Sequence, residues 1–366
     1  MLNSIRIERL RGFNTIEINN FRKVNVVAGR NGCGKSTLLD ACFWICGPLN
    51  PDISLRLNLF RKLETIDPAE SWKTLFYNFD TTLPIFIEGT FENNKEKRTL
   101  EITTEQPVSS GVDKEKENTE RIIDIPLTNQ KDILGKKLLV TELYTKFTIK
   151  RTHDNPRIYT AKLIKEPQLL RYETKTKYTE SIKGMYLNQN TMFQDLPFSL
   201  TLLQTNKQLS KLIKPLQKIF PMLTDLRVGI DNIVYCDVGL PALAPINILG
   251  DGIHRFLSVI AAITNTPNGI VLIDEIENGF HYETLRILWP TLFDACIESN
   301  VQVFITTHSI ECLTQLAKFL AGKENNKLYE NNFCFFRIEQ RENKTECVEY
   351  DYATFISGIA NGWEVR

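Results

Sequence analysis

Val24-Asn-Val-Val-Ala28 runs directly into Gly29-Arg30-Asn31-Gly32-Cys33-Gly34-Lys35-Ser36-Thr37. The first five residues are a short β-branched run, as expected of a strand buried on both faces. The next eight, Gly29 to Ser36, fit the G-x-x-x-x-G-K-[ST] pattern in full, and Thr37 follows. Glycines at these places let backbone N–H groups turn inward on an anion with no Cβ in the way. Residues 36–45 then read as an apolar helix, which Pro48 and Pro51 end. Its N-terminal dipole points at the same anion. The stretch therefore predicts a phosphate cradle made by Gly29, Arg30, Asn31, Gly32, Cys33, Gly34, Lys35, Ser36 and Thr37. Lys35 is expected to reach the β and γ phosphates, and the Ser36 hydroxyl to ligate Mg²⁺.

Other segments supply what such a cradle needs. Ile270-Val-Leu-Ile-Asp274-Glu275 ends an apolar strand in two carboxylates. The carboxyl end of a parallel strand is where an open α/β sheet places its ligand. Asp274 is expected to hold the Mg²⁺ through water. Glu275 points the other way and is the candidate general base for an attacking water. Phe304-Ile-Thr-Thr-His308-Ser309 ends the next apolar strand, and His308 is the candidate contact to the γ-phosphate or its water. Leu249-Gly250-Asp251-Gly252 opens an apolar helix over 253–263, a second helix N-terminus able to bind an anion. The plainer reading there is Asp251 as an N-cap.

Composition bounds the classes left. The 366 residues carry 44 Lys+Arg and 44 Asp+Glu, which excludes a strongly basic nucleic-acid wrapper and a polyanionic tail. With 42% hydrophobic and 10% aromatic residues the chain can bury a substantial core. No apolar run approaches a membrane span, and residues 1–10 read as a strand start rather than a signal peptide. A cytoplasmic protein without a membrane partner is expected. The eight cysteines form no CxxC pair, and Cys42 and Cys46 have no nearby His to complete a metal set. They read as small buried hydrophobes.

Between the cradle and the carboxylates the pattern changes. Period-two alternation at 4–10 and 15–19, and again at 84–91, 99–103, 147–150 and 159–164, predicts antiparallel strands. Residues 92–121 are dense in Lys, Glu, Asn and Ser and read as a solvated, mobile loop. Leu202, Leu203, Leu209, Leu212, Ile213, Leu216 and Ile219 are spaced for one amphipathic helix over 199–220, and 228–238 reads as a strand.

Together these residues resemble the ABC-type ATPase fold shared by the SMC, RecF and OLD ATPases. In particular they look like the stand-alone prokaryotic AAA-family ATPases of anti-phage defence, such as the ATPase subunits of PARIS, Septu and some retron systems. The resemblance covers essentially the whole chain. Residues 7–13 are similar to the family's first strand and turn, 29–37 to Walker A, and 249–252 to the signature loop in an L-G-D-G form. Asp274-Glu275 matches Walker B, 276–281 the D-loop region, and His308 the switch histidine. Gln189, in Tyr186-Leu-Asn-Gln-Asn190, is the best match to the metal-contacting Q-loop glutamine, and 335–366 to the closing segment.

The resemblance implies an α/β, ABC-type P-loop NTPase head with a mixed central sheet, an antiparallel β subdomain and a helical insertion. Residues 1–50 and 226–366 would form the split head and 51–225 the inserted arm. ATP and Mg²⁺ would be the cofactors. Two heads would pair face to face as a homodimer or a higher oligomer of dimers. Gly250, Asp251 and Gly252 of one subunit would then act on the nucleotide of the other. The span from Gly29 to Asp274 is too short for the SMC coiled coil, and no sustained heptads appear. Residues 309–366 are below ordinary domain size, so the Toprim nuclease of OLD proteins is not expected. The expected function is an ATP-hydrolysing dimeric switch that senses a signal, such as phage infection, and controls a separate effector such as a nuclease or toxin. A RecF-like DNA-binding ATPase is the alternative, left open by basic runs within 162–183 and 207–218. The antiparallel insertion and degenerate signature weigh against a transporter ATPase.

Overall fold

The chain is described by a computed structural model. It describes all residues except 64–71, 92–94, 105–120, 127–140, 166–168, 176, 190, 191, 194, 323–325, 342–343 and 363–366. In chain order the strands are β1 (Leu2–Leu10), β2 (Phe13–Ile18), β3 (Val24–Ala28), β4 (Ile85–Phe91), β5 (Glu96–Thr103), β6 (Arg121–Pro126), β7 (Thr141–Arg151), β8 (Arg157–Lys165) and β9 (Leu169–Thr174). They continue with β10 (Gly184–Leu187), β11 (Asp225–Val228), β12 (Val234–Asp237), β13 (Ala244–Pro245), β14 (Ile270–Ile273), β15 (Gln302–Thr306), β16 (Phe333–Arg341) and β17 (Lys344–Tyr350). The architecture is α/β. Two compact units account for it, one of Met1–Asn20, Gly32–Ile182 and Gln340–Cys347, the other of Phe21–Asn31, Lys183–Glu339 and Val348–Arg366.

The second unit holds neighbouring strands in the order β10-β14-β15-β3-β16. The pairings from β10 through β16 are all parallel. Every residue of β3, β14 and β15 is buried, as strands covered on both faces require. Asn25 is polar in that core, and its side chain is satisfied locally. Its Nδ2 donates to the carbonyls of Arg22 (2.7 Å) and Val303 (3.0 Å), and its Oδ1 accepts from Arg22 N–H (2.7 Å). Helices Asp251–Asn265, Tyr282–Glu298 and Ile310–Leu320 pack around this sheet's hydrophobic core. The amphipathic stretch at 199–220 is two helices, Leu196–Thr205 and Ser210–Gln217, rather than one. Lys207 between them has φ 58°, which interrupts the helical path. Likewise 228–238 is the turn and second strand of a hairpin, β11 with β12, because Gly229 to Asn232 reverses the chain.

The first unit holds an antiparallel sheet in the order β2-β1-β4-β5-β7-β8-β9-β6. β4 and β5 alternate buried and open positions along their length, the signature of a sheet with one covered face. The helix Lys35–Cys46 packs on β1, β4 and β5. The compact units therefore divide along other lines than the expected head of 1–50 with 226–366. The pairing of β1 with β4 draws the N-terminal hairpin and the phosphate-loop helix to the antiparallel sheet.

Part of the stretch expected to be a mobile loop, 92–121, is β5. Arg121 begins β6, and 92–94 and 105–120 lie outside the described residues. The strand expected at 99–103 is the second part of β5, and its start at Glu96 reads as loop in the sequence because charged residues occupy the covered face there. Arg98 is 0% and Glu96 1% exposed. Arg98 Nε donates to Glu96 Oε1 at 2.6 Å, and its two terminal nitrogens meet Glu180 at 3.0 Å each. Nη1 also donates to the carbonyl of Ile45, near the end of the phosphate-loop helix, at 3.1 Å. Earlier in that helix, Asp40 is fully buried between Arg11 (3.2 Å) and Arg61 (2.9 Å). Seven cysteines are buried and Cys347 is half-buried. Burial pushes the Cys46 thiol up to about 12. Among the described residues no helix is long and apolar enough to cross a membrane.

Removing one partner of a buried ion pair leaves the other charge uncompensated. Arg98→Met leaves Glu180 and the Oε1 of Glu96 without their cation, with Arg151 remaining on Glu96 Oε2 at 2.9 Å, and is expected to cost about 3 kcal/mol, read as a lower urea midpoint at unchanged slope.

Candidate functional site

The phosphate loop leaves the carboxyl end of β3. Its first residues, 29–31, belong to the parallel-sheet unit, and Gly32 onward to the other. Gly34 is the N-cap of the helix Lys35–Cys46, with φ 103° and no side-chain cap bond. That backbone is open to glycine, and the space around it is too. A Cβ on Gly34 would lie 2.2 Å from Cε1 of Phe13, whose buried ring floors the turn. Cys33, Lys35 and Thr37 are buried within the loop. Burial raises the Cys33 thiol against the opposing pull of Lys35, so it is not a ready thiolate.

The carboxyl ends of β14 and β15 gather the acidic groups. Thr306, the last residue of β15, donates its hydroxyl to Asp274 Oδ1 at 2.6 Å. The Thr306 hydroxyl oxygen accepts the backbone N–H of Glu275 at 2.8 Å. Glu275 has φ 52°, a strained conformation for a non-glycine residue. Its Oε2 accepts from Gln189 Nε2 at 2.9 Å and from Asn278 Nδ2 at 2.7 Å. Gln189 arrives just beyond β10, which pairs with β14. The structure thus brings Gln189, Asp274 and Glu275 together, with the Gln189 amide on the neighbouring carboxylate.

His308 joins the same group. Its Nδ1 lies 2.9 Å from Glu277 Oε1 and 3.9 Å from Glu275 Oε1. Its backbone N–H donates to Glu277 Oε1 at 2.7 Å. The Gly250-Asp251-Gly252 turn, expected to be the signature loop, heads the helix Asp251–Asn265, where Gly250 is the N-cap with φ 101°. Asp251 is therefore the first helical residue, not the cap, and no side chain closes that helix start. Gly252 approaches the D-loop, where an added Cβ would lie 3.4 Å from the Gly279 carbonyl oxygen. Gly279 has φ 73°, and a Cβ there would meet Arg255 Nε at 2.7 Å. Arg255 stacks over Phe193 at 5.5 Å, and its Nε and Nη1 are shielded from water without an acceptor. Burial lowers its pKa, against the attraction of Asp251 and Glu275.

The sequence singled out neither Thr306 nor Arg255, nor Phe13 beneath the phosphate loop, and it marked Glu277 and Asn278 only as members of the stretch 276–281. Thr306 carried a usable signal, since it ends the strand beside the carboxylate strand. Arg255 and Phe13 carried none, because each acts through a long-range contact. Among the described residues no group of three or more His, Cys, Asp or Glu is placed to hold a metal ion.

Comparison with known proteins places this geometry in a class, a phosphate-loop AAA-type fold. The chain belongs to the family described as "AAA domain, putative AbiEii toxin, Type IV TA system", whose pattern it matches over residues 24–313. It is 26% identical over 358 residues to a Helicobacter pylori protein described as "ATP/GTP phosphatase", covering 88% of this chain and 90% of that one. Over 76 residues it is 36% identical to an uncharacterised protein, MJECL11, of Methanocaldococcus jannaschii, covering 21% of this chain and 66% of that one. Among solved structures it is similar to an SMC head bound to the C-terminal winged-helix domain of ScpA, with 10% identity, TM-score 0.49, and 96% and 97% of the two chains covered. The SMC head domain of Thermotoga maritima has 10% identity and TM-score 0.45, with 96% of this chain and 99% of that chain covered.

Thr306→Val keeps the shape and removes both hydroxyl bonds. It is expected to cost about 1–3 kcal/mol of stability, because the half-buried Glu275 N–H and Asp274 Oδ1 lose their partner. Thermal unfolding of the variant beside the parent checks this.

Proposed function

We propose that the chain is a Mg²⁺-dependent ATPase whose nucleotide state switches a head-to-head homodimer, or a higher oligomer of such dimers. Through it the protein controls a separate effector, such as a nuclease or toxin, in prokaryotic defence. The observation that carries the reading is Glu275. Its Oε2 is gripped by Gln189 and Asn278 at the carboxyl end of the parallel sheet, which leaves Oε1 to orient a water. The relative described as an "ATP/GTP phosphatase" supports hydrolysis, and the family description naming a putative AbiEii toxin supports a defence setting.

The roles divide by chemistry. The glycine loop and Lys35 bind the phosphates, and Lys35 offsets charge on the β and γ groups. The Ser36 hydroxyl, the Asp274 carboxylate and the Gln189 amide oxygen are hard oxygen donors of the kind Mg²⁺ takes. Gln189 donates through Nε2, so its oxygen end remains for that purpose. The ion, when bound, supplies charge neutralisation on the phosphates. Glu275 takes the proton of the attacking water, and His308 holds the water or the γ-phosphate. The uncapped helix start at Gly250, Asp251 and Gly252 offers its N–H groups to the nucleotide of a second subunit.

Glu275→Gln keeps both hydrogen-bonding partners of the side chain and removes its basicity. With ATP and Mg²⁺ it is expected to shift from monomer to twice the monomer mass in light scattering and to stay there. A mass that never responds to ATP rejects the dimeric switch. ATP-strengthened, salt-sensitive duplex binding without that shift would point to the RecF-like alternative instead.

A further inference from the structure

Glu277 has no part in the chemistry above, yet it is the more buried of the two carboxylates facing His308. Its side chain is 9% exposed, against 37% for Glu275. One oxygen, Oε1, accepts the His308 backbone N–H at 2.7 Å and stands 2.9 Å from His308 Nδ1. The other, Oε2, is shielded from water and has no hydrogen-bond partner. A carboxylate kept dry with an orphaned oxygen is costly, and such groups persist where they hold another group in place. The histidine shows the complementary asymmetry. Nδ1 is shielded from water and lies 2.9 Å from Glu277 Oε1 without making a hydrogen bond to it, whereas the side chain as a whole is 43% exposed. The exposure therefore lies on the rest of the ring, the part that carries Nε2.

We propose that Glu277 is a positioning residue for His308. It fixes the histidine's peptide through the backbone N–H and draws the Nδ1 edge of the ring toward its carboxylate at 2.9 Å, so that Nε2 is the nitrogen presented to a phosphoryl oxygen or its attacking water. Two neighbouring carboxylates then divide the labour. Glu277 takes the proton-bearing Nδ1 edge of the imidazole, which leaves Glu275, at 3.9 Å from the same nitrogen, free to act on water. Thr306 supports the arrangement from the chain side. Its carbonyl accepts the Ile276 N–H at 3.1 Å, which ties the segment carrying Glu277 to the strand that delivers His308. A carboxylate behind an imidazole is a general way to set its tautomer and orientation.

The proposal rests on the hydrolytic reading of the site, and two measurements keep the failures apart. The first needs no turnover. In ¹⁵N-histidine-labelled, nucleotide-free protein, the His308 signals are assigned among the four histidines by their loss in His308→Ala. The proposal expects a protonated Nδ1, and a bare Nδ1 with the proton only on Nε2 overturns it. The second is a double-mutant cycle. Glu277→Gln keeps an oxygen for the His308 N–H and should fold. It is expected to lower kcat by about 10- to 100-fold with KM within about threefold. In a His308→Ala background the same change should cost no more than about twofold, because both changes remove one interaction. Additive losses, or an unchanged kcat in Glu277→Gln, overturn the positioning role. A parent protein that releases no phosphate from ATP refutes the hydrolytic reading instead, and the histidine spectrum still decides the contact.

Discussion

One hydroxyl group fixes the geometry of the candidate site. Thr306 Oγ1 has a single proton and spends it on Asp274 Oδ1 at 2.6 Å, while its lone pair takes the Glu275 N–H at 2.8 Å. The direction of each bond is thereby set. Asp274 is oriented from the side, and the backbone of Glu275 is held at φ 52°, which turns its side chain toward Gln189 and Asn278. Strain of this kind persists only where the surroundings over-determine it. Here the surroundings are β14 and β15, adjacent parallel strands whose every residue is buried.

That dependence explains why so much apolar sequence surrounds so few polar groups. β3, β14 and β15 are rigid because they are covered on both faces. Their carboxyl ends therefore deliver the start of the phosphate loop, the Asp274-Glu275 pair and His308 from neighbouring strands of one sheet. The antiparallel unit does a different job with opposite means. It holds the helix Lys35–Cys46 by polar contacts, Asp40 between two arginines and Arg98 on the Ile45 carbonyl. Such pairs stabilise weakly on balance but penalise any other arrangement, because an uncompensated buried charge is expensive.

The buried strands and the phosphate loop were legible in the sequence because each is a local pattern. A β-branched run, a glycine spacing and a terminal carboxylate pair all show within ten residues. The signature turn was legible too, although its cap was not, since Asp and Gly both suit that position and only the backbone separates them. β5 was legible from Thr99 to Thr103 but its start was hidden, because Glu96 and Arg98 sit where alternation calls for apolar side chains. Their partners, Glu180 and Arg151, lie far along the chain. The two-helix break at 207 and the Gly229 hairpin were misread for a related reason. Hydrophobic spacing continues through both, while the backbone does not. Glu277 looked like one more acid after Walker B, and only its burial against His308 gives it a role.

The central claim is that Glu275 is the base for hydrolysis of bound ATP. Phosphate release from ATP and Mg²⁺ under single-turnover conditions tests it most directly, with the parent and Glu275→Gln run side by side. Loss of a positioned base predicts a fall of about 10²- to 10⁴-fold in the hydrolysis rate, with nucleotide binding kept. Equal rates in the two proteins would contradict the account.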